Sequence, residues 1–360
     1  LRSRRYAARA TSCSNACRAR AAAPGSPERH TDEAMSAAMK IIVNSAYGYL
    51  GAGGLTRFAD VHAANEITRR GREVLGIICR ELRQRGVTLL EADTDGVYVA
   101  VPEGWQEPDE RRVVAEVAAL LPPRVQLEYD GRYAAMLSHE PKNYALKPYD
   151  GPIRLRGVAF RSSRAERFGE DFLRRALGHL LAGDVARVQQ VYLAAIAALR
   201  RREVPTFDVT ARVRLSKTAS QYLASRGQRH ELAYEAVLAS GRTAWTAGER
   251  VRVYRGAGGR AVLFGARSSA GDADDADEVD AADEGDRNDD GVDRGVGEPR
   301  DYDVTYYTRL LRDTFAARLS RALTADDFAA VFAEPDQLSL FAAPLTQART
   351  ILTLLPDPLA

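Results

Sequence analysis

The sequence predicts an α+β fold, with a small antiparallel sheet flanked by helices in the first half and a mainly helical second half. Three observations carry this. Apolar residues recur at helical spacing between Asp32 and Arg83. Two β-rich runs then flank Asp93-Thr94-Asp95-Gly96, a hairpin signal because Asp-Gly readily adopts the positive φ of a tight turn. Beyond Glu166 the pattern returns to helical spacing and holds it to Arg201.

In chain order, residues 1–31 hold seven Arg against one Glu before the first predicted helix, and read as an unfolded arm. They are superficially like a transit peptide, yet the missing initiator Met points to a truncated or misread start. Asp32 is a good N-cap, and Met35, Met39, Ile42, Val43, Ala46 and Tyr47 follow at helical spacing until Gly48 and Gly51. A second helix is expected over Val61–Arg83, with Ile67, Val74, Ile77, Ile78 and Leu82 on one face. The hairpin of residues 87–101 follows, then a helix at Arg111–Leu121, a strand at Arg124–Tyr129 and a hairpin at Tyr133–Lys147. Helices are expected at Glu166–Arg201, Tyr222–Ser240 and Tyr302–Leu323, with a short β piece at Arg250–Phe264.

Composition narrows the function. Residues 271–301 carry 14 Asp/Glu and three Arg, a balance of −11, so the formal +2 of the whole chain leaves +13 on the remainder. A basic body suits a polyanionic partner. Residues 267–301, rich in Asp, Gly and Ala, read as a disordered insertion. Three cysteines and five scattered histidines show no zinc spacing, and no run of 18 apolar residues occurs, so no membrane span is expected and a reducing, cytoplasmic setting is. Only four of the 51 basic residues are Lys, which makes each informative where a compact point charge is needed.

Lys40, Asn44 and Tyr47 in KIIVNSAYG lie at i, i+4 and i+7, on one helix face, where a cation, an amide and an aromatic suit a triphosphate, a sugar and a base. Asp93 and Asp95 put two carboxylates at a hairpin turn, a donor set that hard divalent cations favour. Taken in order, KIIVNSAYG, EADTDGVYV and EPKNYALK resemble the fingers motif, the second palm carboxylate motif and the Lys-x-Tyr motif of family B DNA polymerases. LRGVAFRSSR resembles that family's basic stretch entering the thumb, VRLSKTASQY its thumb signature, and DYDVTYYTRLL its late thumb helix, so the resemblance spans roughly residues 35–325.

The resemblance implies a partial palm and a helical thumb of the bacterial type: fingers helix and start of palm over 32–85, palm over 86–165, thumb over 166–325, and a tail over 326–360. It implies that Asp95, with Asp93 beside it, binds both Mg²⁺ ions of a two-metal nucleotidyl transfer from dNTP to a primer 3′-hydroxyl, and that Glu128 is a further acidic palm position. Lys40, Asn44 and Tyr47 then match positions around the incoming nucleotide. Lys142, Tyr144, Arg156, Arg161, Arg164 and Lys217 match positions on primer-template DNA. Three features depart: the first palm motif, an Asp before Ser-Leu-Tyr-Pro-Ser, is absent, the proofreading region and first half of the palm are absent as well, and Gly96 replaces the Ser usual after the second Asp. Synthesis by this chain alone is therefore expected to be weak or nil, with the other carboxylate supplied by a separate N-terminal polymerase and exonuclease piece.

In the tail, QLSLF resembles the pentapeptide by which bacterial polymerases bind the sliding clamp, Gln337 making polar contacts while Leu338, Leu340 and Phe341 fill apolar pockets. The alternative function is a non-catalytic remnant that binds DNA and clamp. An RNA-binding accessory protein would need stacking aromatics that the basic segments lack. The GAGG runs at 51–54 and 256–259 lack the Lys-Ser/Thr of a phosphate loop and read as loop punctuation.

Overall fold

The computed structural model describes residues 5–12, 27–93, 96–123, 125–162, 164–265, 299–333 and 348–351, of which 5–12, 27–33, 36 and 93 are described by their backbone. Its elements divide into two compact units, Leu1–Gly157 with Leu352–Ala360, and Val158–Ile351.

In the first unit, strand β1 (Arg5–Ser12) and helix α1 (Pro27–Gly51) already fall in or begin within the stretch expected to be an unfolded arm. The strand exists by pairing: it is antiparallel to two neighbours at once, which satisfies the backbone of a segment that its own composition would leave unfolded. Helix α2 (Val61–Gln84) matches its expected span to within a residue. Asp60 caps it by accepting from the Ala63 amide at 2.9 Å, and Glu66 pairs with Arg69 and Arg70 on its exposed side.

The hairpin forms as expected from β2 (Thr88–Asp93) and β3 (Gly96–Ala100), with Asp93 opposite Gly96. Helix α3 (Glu107–Ala118) starts four residues before its expected first residue, because Gln106 and Asp109 form a capping box ahead of it. Strand β4 (Val125–Tyr133) completes a four-stranded sheet in the order β2-β3-β1-β4. One core joins α2, α3 and this sheet through Ile78, Leu82, Val97, Val99, Val113, Val117 and Leu127. A second, three-stranded sheet takes the order β5-β6-β7, from Ala135–Glu140, Asn143–Lys147 and Arg154–Arg156. Leu90, Ala100, Tyr133, Met136 and Leu146 pack the two sheets together.

In the second unit, the long helical stretch breaks at Gly183, whose φ of +79° any side chain would strain, into α4 (Arg167–Leu180) and α5 (Val185–Arg200). Strand β8 (Ala211–Arg214) then leads into the segment read as one helix over Tyr222–Ser240. It is two helices, α6 (Ala219–Ser225) and α7 (Leu232–Ala239). The tyrosines explain why: Tyr222 and Tyr234 stack with ring centroids 4.3 Å apart, whereas a continuous helix would separate residues twelve apart by roughly 18 Å. These helices cover a sheet ordered β10-β9-β8, with β9 at Arg250–Arg255 and β10 at Ala261–Leu263. Helix α8 (Val304–Leu310) continues as a wider turn over Leu311–Phe315 and a tighter one over Ala316–Ala322 before α9 (Ala325–Val331). Phe315 lies against Gly169, where a Cβ would run into its ring.

Among the described residues no helix is long and apolar enough to cross a membrane. The acidic run 271–298 lies outside the described residues.

Candidate nucleic-acid interface

The two hairpins of the first unit meet through polar contacts. Glu91, on β2, is 4% exposed and both its oxygens are used. Its Oε2 accepts from the Ser138 hydroxyl at 2.7 Å, and its Oε1 accepts from the backbone amide of Lys142 at 2.9 Å. Its register partner Tyr98, on β3, shares a 3.0 Å hydroxyl–hydroxyl bond with Tyr144 on β6, the rings 5.0 Å apart. Burial first, and the Tyr144 bond second, push the Tyr98 hydroxyl far above the usual tyrosine range.

Lys142 has a φ of +66°, the left-handed region that a residue with a Cβ enters only under constraint. The constraint comes from two sides, since Glu91 holds its amide and Gly157, at φ +82°, lies so close that a Cβ there would run into the Lys142 carbonyl and the Asn143 side chain. Lys142 itself is exposed, and Tyr144 stands between Ser138 and Arg156 in register. Lys142, Tyr144 and Arg156 are thus gathered on one small sheet; Arg161 and Arg164, both exposed, follow in the second unit.

Other expected residues are placed differently. Lys40, Asn44 and Tyr47 share an exposed face of α1, with Tyr47 42% exposed, and Met39, Ile42 and Val43 of the same helix are exposed as well. Asp93 ends β2, while Asp95 lies outside the described residues. Glu128 is exposed on β4 in the same row as Asp93, since Asp93 pairs with Gly96, Gly96 with Arg9 and Arg9 with Glu128. Three strand spacings put the Asp93 and Glu128 backbones roughly 14 Å apart. The strand between them, RYAARATS, contains no acid. Among the described residues no three metal-ligating side chains converge; the Asp93 side chain and the whole of Asp95 lie outside them. Lys217 is committed to the protein: its ammonium pairs with Glu231 at 2.8 Å, its amide donates to the Tyr234 hydroxyl, and its carbonyl accepts from Trp245. Gln337, Leu338, Leu340 and Phe341 lie outside the described residues.

The sequence reading missed one basic surface. On β8 and β9, Arg212 faces Arg252 and Arg214 faces Arg250, while Val213, Leu215, Val251 and Val253 turn inward. Arg252 stacks on Phe207 at 4.2 Å; among the described residues Arg212, Arg214 and Arg250 have no carboxylate partner. Like charges directly opposite cost stability in an isolated sheet, and a polyanion removes that cost. The signal was present in the alternating Arg-Val-Arg of both strands.

Comparison with known proteins bears on this arrangement. No family model matches the chain. It is 36% identical over 124 residues to DNA polymerase 1 of Pyrococcus abyssi, 34% of this chain and 16% of that protein. It is 28% identical over 193 residues to the DNA polymerase of Thermococcus sp. strain 9oN-7, covering 52% of this chain and 25% of that one. Its fold resembles the structure of the family B DNA polymerase from the archaeon Pyrobaculum calidifontis with a TM-score of 0.57 at 19% identity, over 91% of this chain and 37% of that chain. Over a third to a half of its length the chain is thus similar in sequence to DNA polymerases, and its fold resembles that of a family B DNA polymerase. The α+β polymerase-like fold expected from the motifs is the one observed. This polymerase-related chain spans only 16–25% of the curated relatives' length in these matches. Those relatives are archaeal, which gives a bacterial source and a bacterial clamp no support.

Proposed function

We propose that the chain serves template-directed DNA synthesis as part of a family B-type polymerase, with the β5–β6 turn gripping primer-template DNA beside a half-built nucleotidyl-transfer centre. One observation supports this reading most: the Asp93 hairpin and the Lys-x-Tyr hairpin, 46 to 51 residues apart along the chain, are bonded through Tyr98–Tyr144 and Glu91–Lys142. Such bonding holds a carboxylate turn and a cationic turn at fixed separation, which a reaction joining a triphosphate to a strand end requires. Lys142, Arg156, Arg161 and Arg164 are read as phosphate contacts, and Tyr144 as the residue that fixes the β5–β6 hairpin. Lys40, Asn44 and Tyr47 are read as the nucleotide-facing side of α1, and Asp93 with Asp95 as the half-centre. The other carboxylate would come from polypeptide outside this chain, because the strand next to the hairpin in the sheet carries none. That same acid-free strand favours the second reading, a DNA-binding remnant without catalysis.

Extension of a labelled primer in Mg²⁺ separates them, using this chain with and without a polypeptide bearing the absent Asp-Ser-Leu-Tyr-Pro-Ser motif. Synthesis only in the mixture, lost on Asp95→Asn, is the expected result. Robust synthesis by the chain alone overturns the half-centre, and salt-sensitive DNA binding with no synthesis in either tube establishes the remnant.

A further inference from the structure

A buried carboxylate with two hydrogen bonds is a costly way to staple a sheet, because a pair of apolar side chains would fill the same space without desolvating a charge. Glu91 keeps this arrangement where the backbone it bonds is itself strained. Its Oε1 holds the Lys142 amide, so that oxygen fixes the orientation of a residue whose left-handed φ would otherwise relax. The Ser138 hydroxyl holds the other oxygen and stops the carboxylate from rotating. Gly157 closes the turn from the opposite side. Two residues further along β2 stands Asp93, so one strand carries both the anchor of the cationic turn and the start of the carboxylate turn.

We propose that Glu91 is a positioning residue: through Ser138 and the Lys142 amide it fixes the left-handed turn from which the Lys142 ammonium meets a duplex phosphate. This rests on the reading above that Lys142 contacts DNA. It predicts that the carboxylate's shape and hydrogen bonds matter and its charge does not. Gln in its place keeps an acceptor for the Lys142 amide and presents an amide N–H to the Ser138 oxygen.

The test measures affinity of the whole chain for a primer-template duplex against salt, for Lys142→Ala, Glu91→Leu, Glu91→Gln, Ser138→Ala and the double variants with Lys142→Ala. Removing one phosphate contact is expected to weaken binding about three- to tenfold near physiological salt and to lower the salt slope by about 0.9. Glu91→Leu is expected to reproduce both effects, Glu91→Gln to bind within about twofold of the parent, and Glu91→Leu to add nothing once Lys142 is Ala. Should Glu91→Leu not fold by circular dichroism, Ser138→Ala carries the test, with a smaller loss that also vanishes in the Lys142→Ala background. If Lys142→Ala weakens binding while the Glu91 and Ser138 variants leave it alone, or if their losses add to that of Lys142→Ala, the positioning role is wrong. If Lys142→Ala itself changes nothing, the reading of Lys142 as a DNA contact fails, and the inference with it.

Discussion

The β5–β6 turn and the β8–β9 ribbon are both basic, and they are built in opposite ways. At the turn one lysine is exposed while everything beneath it is fixed: a buried acid holds its amide, a glycine presses on its carbonyl, and a tyrosine pair ties the hairpin to the neighbouring sheet. On the ribbon four arginines face one another in two cross-strand pairs, and Glu249, beside Arg250 in the chain, pairs with Arg242. The turn spends its polar contacts on where a single charge sits, and the ribbon on how much charge it presents. Position matters for a group near reacting atoms, whereas charge density suffices for holding a polyanion.

The sharpest way to break this comparison is through glycine. Gly157 and Gly258 both have positive φ, +82° and +71°, yet a Cβ on Gly157 meets the Lys142 carbonyl while one on Gly258, in the β9–β10 turn, meets nothing within 4 Å. Gly258→Ala should cost about 1–2 kcal/mol from backbone strain alone. Gly157→Ala should cost the same strain plus the collision, about 2–4 kcal/mol in urea unfolding, and should weaken duplex binding as well. Equal costs at the two sites would mean that the strap over Lys142 is not tightly packed.

The next effect is a pH dependence carried by a carboxylate of the second unit. Glu235 accepts from Arg226 at 2.8 Å and from the Tyr222 hydroxyl at 2.6 Å, and these hold its carboxyl at about 2 despite partial burial. Because the folded value lies below the unfolded one, the stabilisation is complete above the ordinary carboxylate range and is lost as pH falls towards 2. Glu235→Gln should therefore cost about 1–3 kcal/mol at neutral pH, with the gap to the parent closing steadily below about pH 4. A gap that persists at pH 2.5 would show that packing, not the charge, is what the substitution removes.

Smaller in stability but distinct in binding is the arginine ladder. Arg212→Ala with Arg250→Ala should lower the salt slope of duplex binding by about 1.8 and leave stability unchanged or raised by a few tenths of a kcal/mol, since like charges no longer face each other. Loss of stability without loss of slope would make the ladder structural.

Much of this was legible in the sequence, and the exceptions share a cause. The strands on either side of Asp93 and Gly96, helix α2 behind its Asp60 cap and the β5–β6 hairpin lie where the local sequence puts them. What stayed hidden depends on partners distant in the chain. Strand β1 exists only because β3 and β4 accept it, and the split between α6 and α7 only because Tyr222 stacks on Tyr234. The role of Glu91 has no signal in the local sequence, because its partners lie 47 and 51 residues away. Lys217, which its motif puts on DNA, pairs with Glu231 across a distance that helical or strand spacing does not reveal.

The finest test lies in the tyrosine pair. Tyr144→Phe removes the hydroxyl bonded to Tyr98 but leaves the ring contact, so it should cost about 0.5–1.5 kcal/mol, the net worth of one partly buried hydrogen bond. The Tyr98 hydroxyl loses a partner but not its burial, so it should still titrate above the exposed tyrosines in an alkaline absorbance scan. If Tyr144 fixes the hairpin and Lys142 makes the contact, duplex affinity should change by less than about twofold, well under the loss on Lys142→Ala. The reverse order would move the DNA contact from the ammonium to the phenol. The turn would then be built to place Tyr144, and the constraint on Lys142 would be its by-product.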